Sequence, residues 1–279
     1  REGVVVEDSR KSFHHQLDDV KAQIVQLAAL VTESIPRATQ ALLDMDLQAA
    51  QRVIDHDDVL DQKSTEIEEA CLRLLALQQP MAGDLRALMT AIKLNWELER
   101  SGDLSVNISK TVRRIYGSTI EPRIRGLIEQ MSEQAHILTR RALDAYATGD
   151  AALAAALDDM DDALDGLQAE YIQAIMRANE ESKMALNIAV QLALIGRYYE
   201  RIGDHAVNIG ERTQYMVTGW LPEHTGAARA EARAKRAGQD EHREASDHHD
   251  IVWVVQFAAT ALSYFEPADA GLCQDVRSP

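Results

Sequence analysis

Apolar residues recur at intervals of three and four along residues 13–216 of the chain. This spacing places apolar side chains on one face of an α-helix. The alternation of apolar and polar residues that is typical of β-strands is absent from the same stretch. The pattern therefore predicts an all-α protein.

Breaks in the pattern divide this stretch into six helices. Pro36 lies inside the first helical pattern and predicts a kink or a restart there. Asp84 follows a turn that contains Pro80 and Gly83, and we expect it to cap the third helix. The predicted helices cover residues 13–48, 50–78, 84–116, 122–147, 151–178 and 182–216. The order is three helices, a short break, and three helices again.

Composition supports a helical protein with a sizeable core, since 46% of the 279 residues are hydrophobic and 5% are aromatic. The formal net charge of −16 argues against general nucleic-acid binding, which requires a basic surface, and suits a protein that attracts cations or basic partners.

Cys71 and Cys273 suggest no disulfide framework, so we expect a cytoplasmic protein with Cys71 in the core. We find no signal peptide, and no segment approaches 18 uninterrupted apolar residues, so no transmembrane segment is expected.

Two stretches of the chain repeat at a long, nearly constant interval. The sequence ERSGDLSVNI at residues 99–108 recurs as ERIGDHAVNI at residues 200–209, which is 101 residues later. An upstream acidic stretch, DDVLD at residues 57–61, recurs as DDALD at residues 161–165. A fixed interval of this length indicates a duplicated unit of several helices.

The repeated stretches contain acidic residues four positions apart, which are neighbours on a helix face about 5–6 Å apart. If the two acidic helices of each half pack together, four carboxylates converge, and in the first half Asn107 adds an amide oxygen. Such oxygen-rich sites suit Mg, Mn, Ca or iron, and zinc is possible through carboxylate oxygens. The candidate metal ligands are Asp57, Asp61, Glu99 and Asp103 in the first half, and Asp161, Asp165, Glu200 and Asp204 in the second.

Neighbouring positions add to this hypothesis. Gly102 and its repeat Gly203 lie inside helices, where glycine costs about 1 kcal/mol relative to alanine, so a facing helix or an ion is expected to approach the backbone closely. Arg100 and Arg201 are candidates to brace the carboxylates, and His205 is a possible additional ligand of the second site. The simpler alternative is that the acidic pairs form a solvated helix face.

The doubled motif resembles the paired signatures of the PhoU family, the phosphate-specific transport system accessory proteins. Supporting stretches are RKSFHHQL at residues 10–17, LLALQQPMAGDLR at residues 74–86 and YMVTG at residues 215–219. The resemblance covers residues 10 to about 220. Leu104 departs from the family pattern, because a His commonly follows the first Gly-Asp.

The resemblance implies two tandem three-helix bundles related by internal duplication, over residues 10–117 and 120–219. It also implies Fe, Zn, Mn or Mg ions bound by the four acidic pairs. The resemblance further implies a cytoplasmic, dimeric repressor of phosphate-starvation signalling that acts between the ATPase of a phosphate ABC transporter and a sensor histidine kinase.

Residues 220–279 do not resemble the family. The polar composition of residues 226–250 predicts disorder, and the apolar stretch 251–265 is too short to span a bilayer comfortably. Two other classes remain as alternatives for the whole chain. One is a metal-dependent enzyme built on a carboxylate cluster, and the other is a purely structural helical interaction protein.

Overall fold

The computed structural model describes residues 2–220, with side chains from residue 10 onward. Within this range the chain forms six α-helices and no strand. The helices are α1 (Glu2–Leu43), α2 (Leu47–Gln78), α3 (Gly83–Arg114), α4 (Pro122–Thr148), α5 (Ala151–Glu180) and α6 (Leu186–Thr218). The predicted all-α class and the six helices are confirmed. The predictions for residues 221–279 lie outside the described residues.

The loops that join α1 to α2 and α4 to α5 have the same construction. Asp46 caps α2 by accepting hydrogen bonds from the backbone N–H groups of Gln48 and Ala49, and Asp150 caps α5 in the same way. The backbone N–H of each cap also donates to a carbonyl five residues earlier, at Ala41 for Asp46. Matching hydrogen bonds at matching positions extend the sequence repeat to the loop geometry.

The prediction that Asp84 caps α3 was wrong, and of the two outcomes predicted at Pro36 the structure excludes a restart. Asp84 lies in the first turn of α3 rather than at its cap, because the helix begins one residue earlier and the capping position is Ala82, at a φ of 49°. Pro36 does not restart the first helix, since α1 runs unbroken to Leu43. Pro36 is exposed, whereas its neighbour Ile35 is fully buried, so the core contacts of α1 continue across the proline.

The six helices pack as two groups of three. Helices α1, α2 and α3 contact one another, as do α4, α5 and α6. Helix α3 also packs against α6, and α1 against α4, so the two groups share a core. At this junction the Thr39 hydroxyl of α1 lies 2.7 Å from both the Ser132 hydroxyl of α4 and the Tyr199 hydroxyl of α6. All three side chains are buried, and their hydrogen bonds satisfy polar groups that would otherwise destabilise the core.

Glycines let α6 approach α5 closely. Gly196, Gly203 and Gly210 are spaced by seven residues and therefore share one face of α6. A Cβ atom at these positions would lie 2.8 Å from the Tyr171 ring, 2.7 Å from Leu164 Cδ2 and 2.8 Å from the Ala154 carbonyl oxygen, respectively. Real Cβ atoms do not tolerate such distances, so the α5–α6 spacing depends on glycine.

The equivalent contact between α2 and α3 is looser. A Cβ at Gly102 would lie 3.1 Å from Leu60 Cδ1, and the positions that correspond to Gly196 and Gly210 are Asn95 and Ser109. The prediction that something approaches Gly102 and Gly203 closely is therefore confirmed for the facing helices.

We expect Gly210→Ala to destabilise the protein by about 2 kcal/mol. The new methyl group would press on the α5 backbone at Ala154, and overpacking costs roughly 1–3 kcal/mol, which exceeds the ~1 kcal/mol that alanine gains in helix propensity. Gly166→Ala is the matched control, because a Cβ at this α5 position meets nothing within 4 Å. Urea unfolding should show a loss for the first variant and a small gain for the second. Equal effects would contradict the proposed role of glycine in helix spacing.

Candidate metal centres on the acidic helices

The four acidic side chains predicted for the first site lie together on α2 and α3. Burial, together with the neighbouring carboxylates of Asp61 and Asp103, raises the pKa of Asp57 from 3.8 to about 6. The pKa of Glu99 is also raised. Burial is the largest cause, and the carboxylates of Asp103, Asp61 and Asp57 add to it. Each carboxylate is therefore close enough to disfavour ionisation of another.

Three acids of the second site, Asp161, Asp165 and Asp204, form a similar group on α5 and α6, and Glu200 joins it through Arg197, which interacts with Glu200, Asp204 and Asp165. Burial, together with the charges of Asp165 and Asp204, raises the pKa of Asp161 from 3.8 to about 7. The Asp161 Oδ1 atom is buried and has no hydrogen-bond partner among the described residues. This oxygen packs against Gly203 of α6, and leaving a buried carboxylate oxygen without a partner is costly.

Both groups share one arrangement of inner and outer carboxylates. Within each group two side chains are partly buried and two are exposed. The inner pairs are Asp57 with Glu99 and Asp161 with Glu200, and the outer pairs are Asp61 with Asp103 and Asp165 with Asp204. We call these groups the first and the second carboxylate cluster. Because their outer members are exposed, an ion would reach either cluster from solvent.

The sequence analysis identified only some of the basic side chains that lie beside the clusters. Arg100 favours the charged forms of Glu99 and Asp103, which agrees with its expected bracing role. At the second cluster an ion pair with Glu200 is made by Arg197, which the sequence analysis did not single out. Its position three residues before Glu200, on the same helix face, was the available signal.

His205 lies on a different face of α6 from the second cluster. Its Nδ1 atom is 3.0 Å from the Ser101 hydroxyl of α3, and its Nε2 atom is 3.9 Å from the Glu97 carboxylate. Burial, together with the charges of Arg201 and Arg100, lowers the pKa of His205 from 6.5 to about 4. The structure therefore does not support the expectation that His205 joins the second site.

Across the residues that the structure describes, no group of three or more His, Cys, Asp or Glu side chains surrounds a common point at which one ion would sit. The raised pKa values nevertheless show that the carboxylates interact. Mutual repulsion keeps ionised carboxylates apart, so their side chains would have to rotate inward to share an ion. The chemistry of the donor set fits a hard cation, since the side chains offer carboxylate oxygens.

Other sequence predictions concern the protein as a whole. Cys71 is fully buried in the core, as predicted, and burial raises the pKa of its thiol to about 11. None of the helices in the described part of the chain combines the length and the apolar character that crossing a bilayer requires.

The fold and the clusters together define a duplicated helical-bundle protein with one carboxylate cluster in each half. The model of the PhoU domain matches this chain twice, over residues 24–112 and 128–213. The chain belongs to the PhoU family. Both matches fall inside the ranges predicted for the two bundles, whose boundaries remain predictions.

Curated relatives cover most of the chain. The phosphate-specific transport system accessory protein PhoU homolog 1 of Mycobacterium tuberculosis (strain ATCC 25618 / H37Rv) is 35% identical over 215 residues, which are 76% of this chain and 96% of that protein. The corresponding PhoU homolog of Rhizobium meliloti (strain 1021) is 31% identical over 212 residues, which are 76% of this chain and 90% of that protein.

Solved structures of the family have the same fold. PhoU from Pseudomonas aeruginosa matches with a TM-score of 0.71 and 31% identity, over 75% of this chain and 100% of that one. The phosphate transport system regulatory protein PhoU from Streptococcus pneumoniae matches with a TM-score of 0.69 and 27% identity, over 75% of this chain and 98% of that one. The predicted pair of duplicated three-helix bundles is confirmed.

We expect the stability of the metal-free protein to depend on the ionisation of Asp57 and Asp161. In the folded state their pKa values are about 6 and 7, above the usual 3.8, so the folded protein retains protons that the unfolded chain has lost. Their contribution to stability therefore falls as the pH rises from about 4 to 7. His205 has the opposite effect, because its pKa is lowered from 6.5 to about 4, so its contribution rises with pH over that interval.

The measurement that separates these effects is the difference in Tm between the wild type and an Asp57→Asn/Asp161→Asn variant, with a chelator present. Both proteins contain His205, so its titration largely cancels. The wild type should lose Tm relative to the variant between pH 4.5 and 7.5. A difference that does not change with pH would contradict the raised pKa values.

Proposed function

We propose that this protein is a non-enzymatic negative regulator of phosphate uptake and phosphate-starvation signalling. Its curated relatives are named phosphate-specific transport system accessory proteins, and a structural relative is named a phosphate transport system regulatory protein. A regulatory rather than a catalytic role agrees with both names. The observation that carries the metal-dependent part of the proposal is the pair of carboxylate clusters, one in each half.

Each cluster is proposed to bind metal ions through its own four carboxylates. In the first cluster the ligands would be Asp57, Asp61, Glu99 and Asp103, and in the second Asp161, Asp165, Glu200 and Asp204. Carboxylate oxygens favour Mg, Mn and iron, while Zn is the least favoured of the proposed ions because it usually takes Cys and His ligands. A bound cation would neutralise carboxylates that burial and mutual repulsion now disfavour in their ionised forms.

The protein is proposed to act as an adaptor in the cytoplasm, as a homodimer. Its partners would be the ATPase of a phosphate ABC transporter and a sensor histidine kinase, which are the partners that the family resemblance implies. The formal net charge of −16 is compatible with docking onto basic partner surfaces and would speed that association at low ionic strength.

Metal content tests the cluster proposal directly. We expect equilibrium dialysis against Mn²⁺, followed by elemental analysis, to show less bound metal in a variant with Asp57, Asp61 and Asp103 changed to Asn and Glu99 to Gln. The amides keep the size of the side chains but remove their charge. The matched control changes four exposed acids away from the clusters, namely Asp18, Asp19 and Asp144 to Asn and Glu133 to Gln. Equal metal content in the cluster variant and the control would refute the first site.

Gene deletion in the native host tests the regulatory role. At high phosphate, loss of a negative regulator should raise the expression of phosphate-scavenging genes several-fold, and the wild-type gene should restore repression. The cluster variant and its control, each supplied in place of the wild type, then show whether repression depends on the clusters. Unchanged expression in the deletion strain would refute the regulatory role, whatever the metal content of the protein.

A further inference from the structure

The two carboxylate clusters differ in the residue three positions before the Glu that both copies of the repeat contain, which is Glu99 in the first and Glu200 in the second. In the second half this residue is Arg197, and its counterpart 101 residues earlier is Trp96. Arg197 forms an ion pair with Glu200 inside the second cluster. Trp96 is 45% exposed and instead packs with Lys93, whose Nζ atom lies 4.8 Å from the centre of the indole ring.

Arg197 interacts with most of the second cluster. Its hydrogen bond with Glu200 is the largest contribution to the raised pKa of its guanidinium, and the charges of Asp204 and Asp165 contribute further. Three of the four carboxylates therefore already have a positive charge beside them. The fourth, Asp161, holds the unpaired buried oxygen.

The first cluster has a weaker arrangement of cations. Arg100 favours the ionised forms of Glu99 and Asp103, and Lys110 favours those of Asp57 and Asp103, but among the described residues neither cation forms an ion pair within 4 Å. Its counterpart in the second half is Glu211, so the repeat does not place a cation at the same point in both halves. Glu200 thus has a close ion-pair partner in Arg197, whereas Arg100, the cation that acts on Glu99, forms no ion pair with it within 4 Å.

We propose that Arg197 is a built-in counterion of the second cluster that competes with a metal ion for Glu200, and that it makes the second cluster the weaker of the two metal sites. This inference rests on the proposed binding of metal by the clusters. It assigns a role to a residue of this chain that is not itself a ligand.

The competition follows from charge and geometry. A metal ion that takes Glu200 as a ligand must first break its pair with Arg197, and the guanidinium then remains as a nearby positive charge that repels the ion. Arg197 is a long side chain and 52% exposed, so it has room to turn into solvent when an ion arrives. The first cluster would therefore fill at a lower metal concentration, and the second would fill only as Arg197 is released.

Each cluster is best tested alone in the full-length chain. The second cluster is isolated by the four amide substitutions in the first, and the first by the equivalent substitutions in the second. Mn²⁺ titration by calorimetry at about 0.15 M ionic strength then reports the affinity of one cluster with long-range charge effects reduced. Circular dichroism confirms that each variant keeps its helices.

In the chain with only the second cluster, we expect Arg197→Gln to tighten Mn²⁺ binding about ten-fold, the effect of removing one nearby unit charge in a partly solvated site. Arg197→Lys should keep the weak affinity, because it keeps the charge. Arg140→Gln removes an exposed charge outside both clusters and should leave the affinity within about two-fold of the starting value. In the chain with only the first cluster, Trp96→Arg should weaken binding by about the same factor.

Unchanged or weaker Mn²⁺ binding by the Arg197→Gln variant would overturn the competition, and it would leave the metal proposal intact as long as the isolated clusters bind Mn²⁺. Absence of Mn²⁺ binding by both isolated clusters would overturn the metal proposal and this inference together. An intact chain with two equal sites would also overturn the inference.

Discussion

The close packing of two acidic helices in each half is the constraint on which the rest of the molecule depends. Like charges four residues apart disfavour a helix by only a few tenths of a kcal/mol per pair. Burying one leucine contributes about 1.5–3 kcal/mol, and Leu60 and Leu164 are both buried beside the clusters. Apolar packing therefore outweighs the repulsion, and the glycines at 102 and 203 let the facing helices come close enough to gather the carboxylates.

Most of the fold was predictable because it follows from local patterns. The apolar spacing identified six helices, and the repeat identified two similar halves. The sequence left two local features open: the residue at which α3 begins, and whether the first helix continues past Pro36. Asp84 is a good capping residue, but α3 begins before it, and Pro36 lies where the continuous core contacts of α1 favour an unbroken helix over a restart.

The candidate site was predictable to the extent that helix geometry alone determines it. Residues four apart share a face, so the acidic pairs were visible in the sequence, and the repeat indicated which helices face each other. Adjacent residues on a helix point about 100° apart, so His205 and Asp204 face different neighbours. Which neighbour covers each face depends on the packing of α3 against α6, and the sequence of one helix does not contain that information.

The two halves share the glycine at the helix contact and the four acids of each cluster, but they differ in charged residues beside the clusters. Both clusters have four acids and one glycine, and at Gly203 a larger residue would collide with Asp161 and Leu164 of the facing helix, whereas the fit at Gly102 is looser. Their surroundings differ at two repeat positions, where Trp96 and Lys110 correspond to Arg197 and Glu211. Substitutions at these positions leave the helix spacing unchanged but alter the local potential. A duplicated scaffold can thus hold two sites of the same geometry whose affinities for a cation differ.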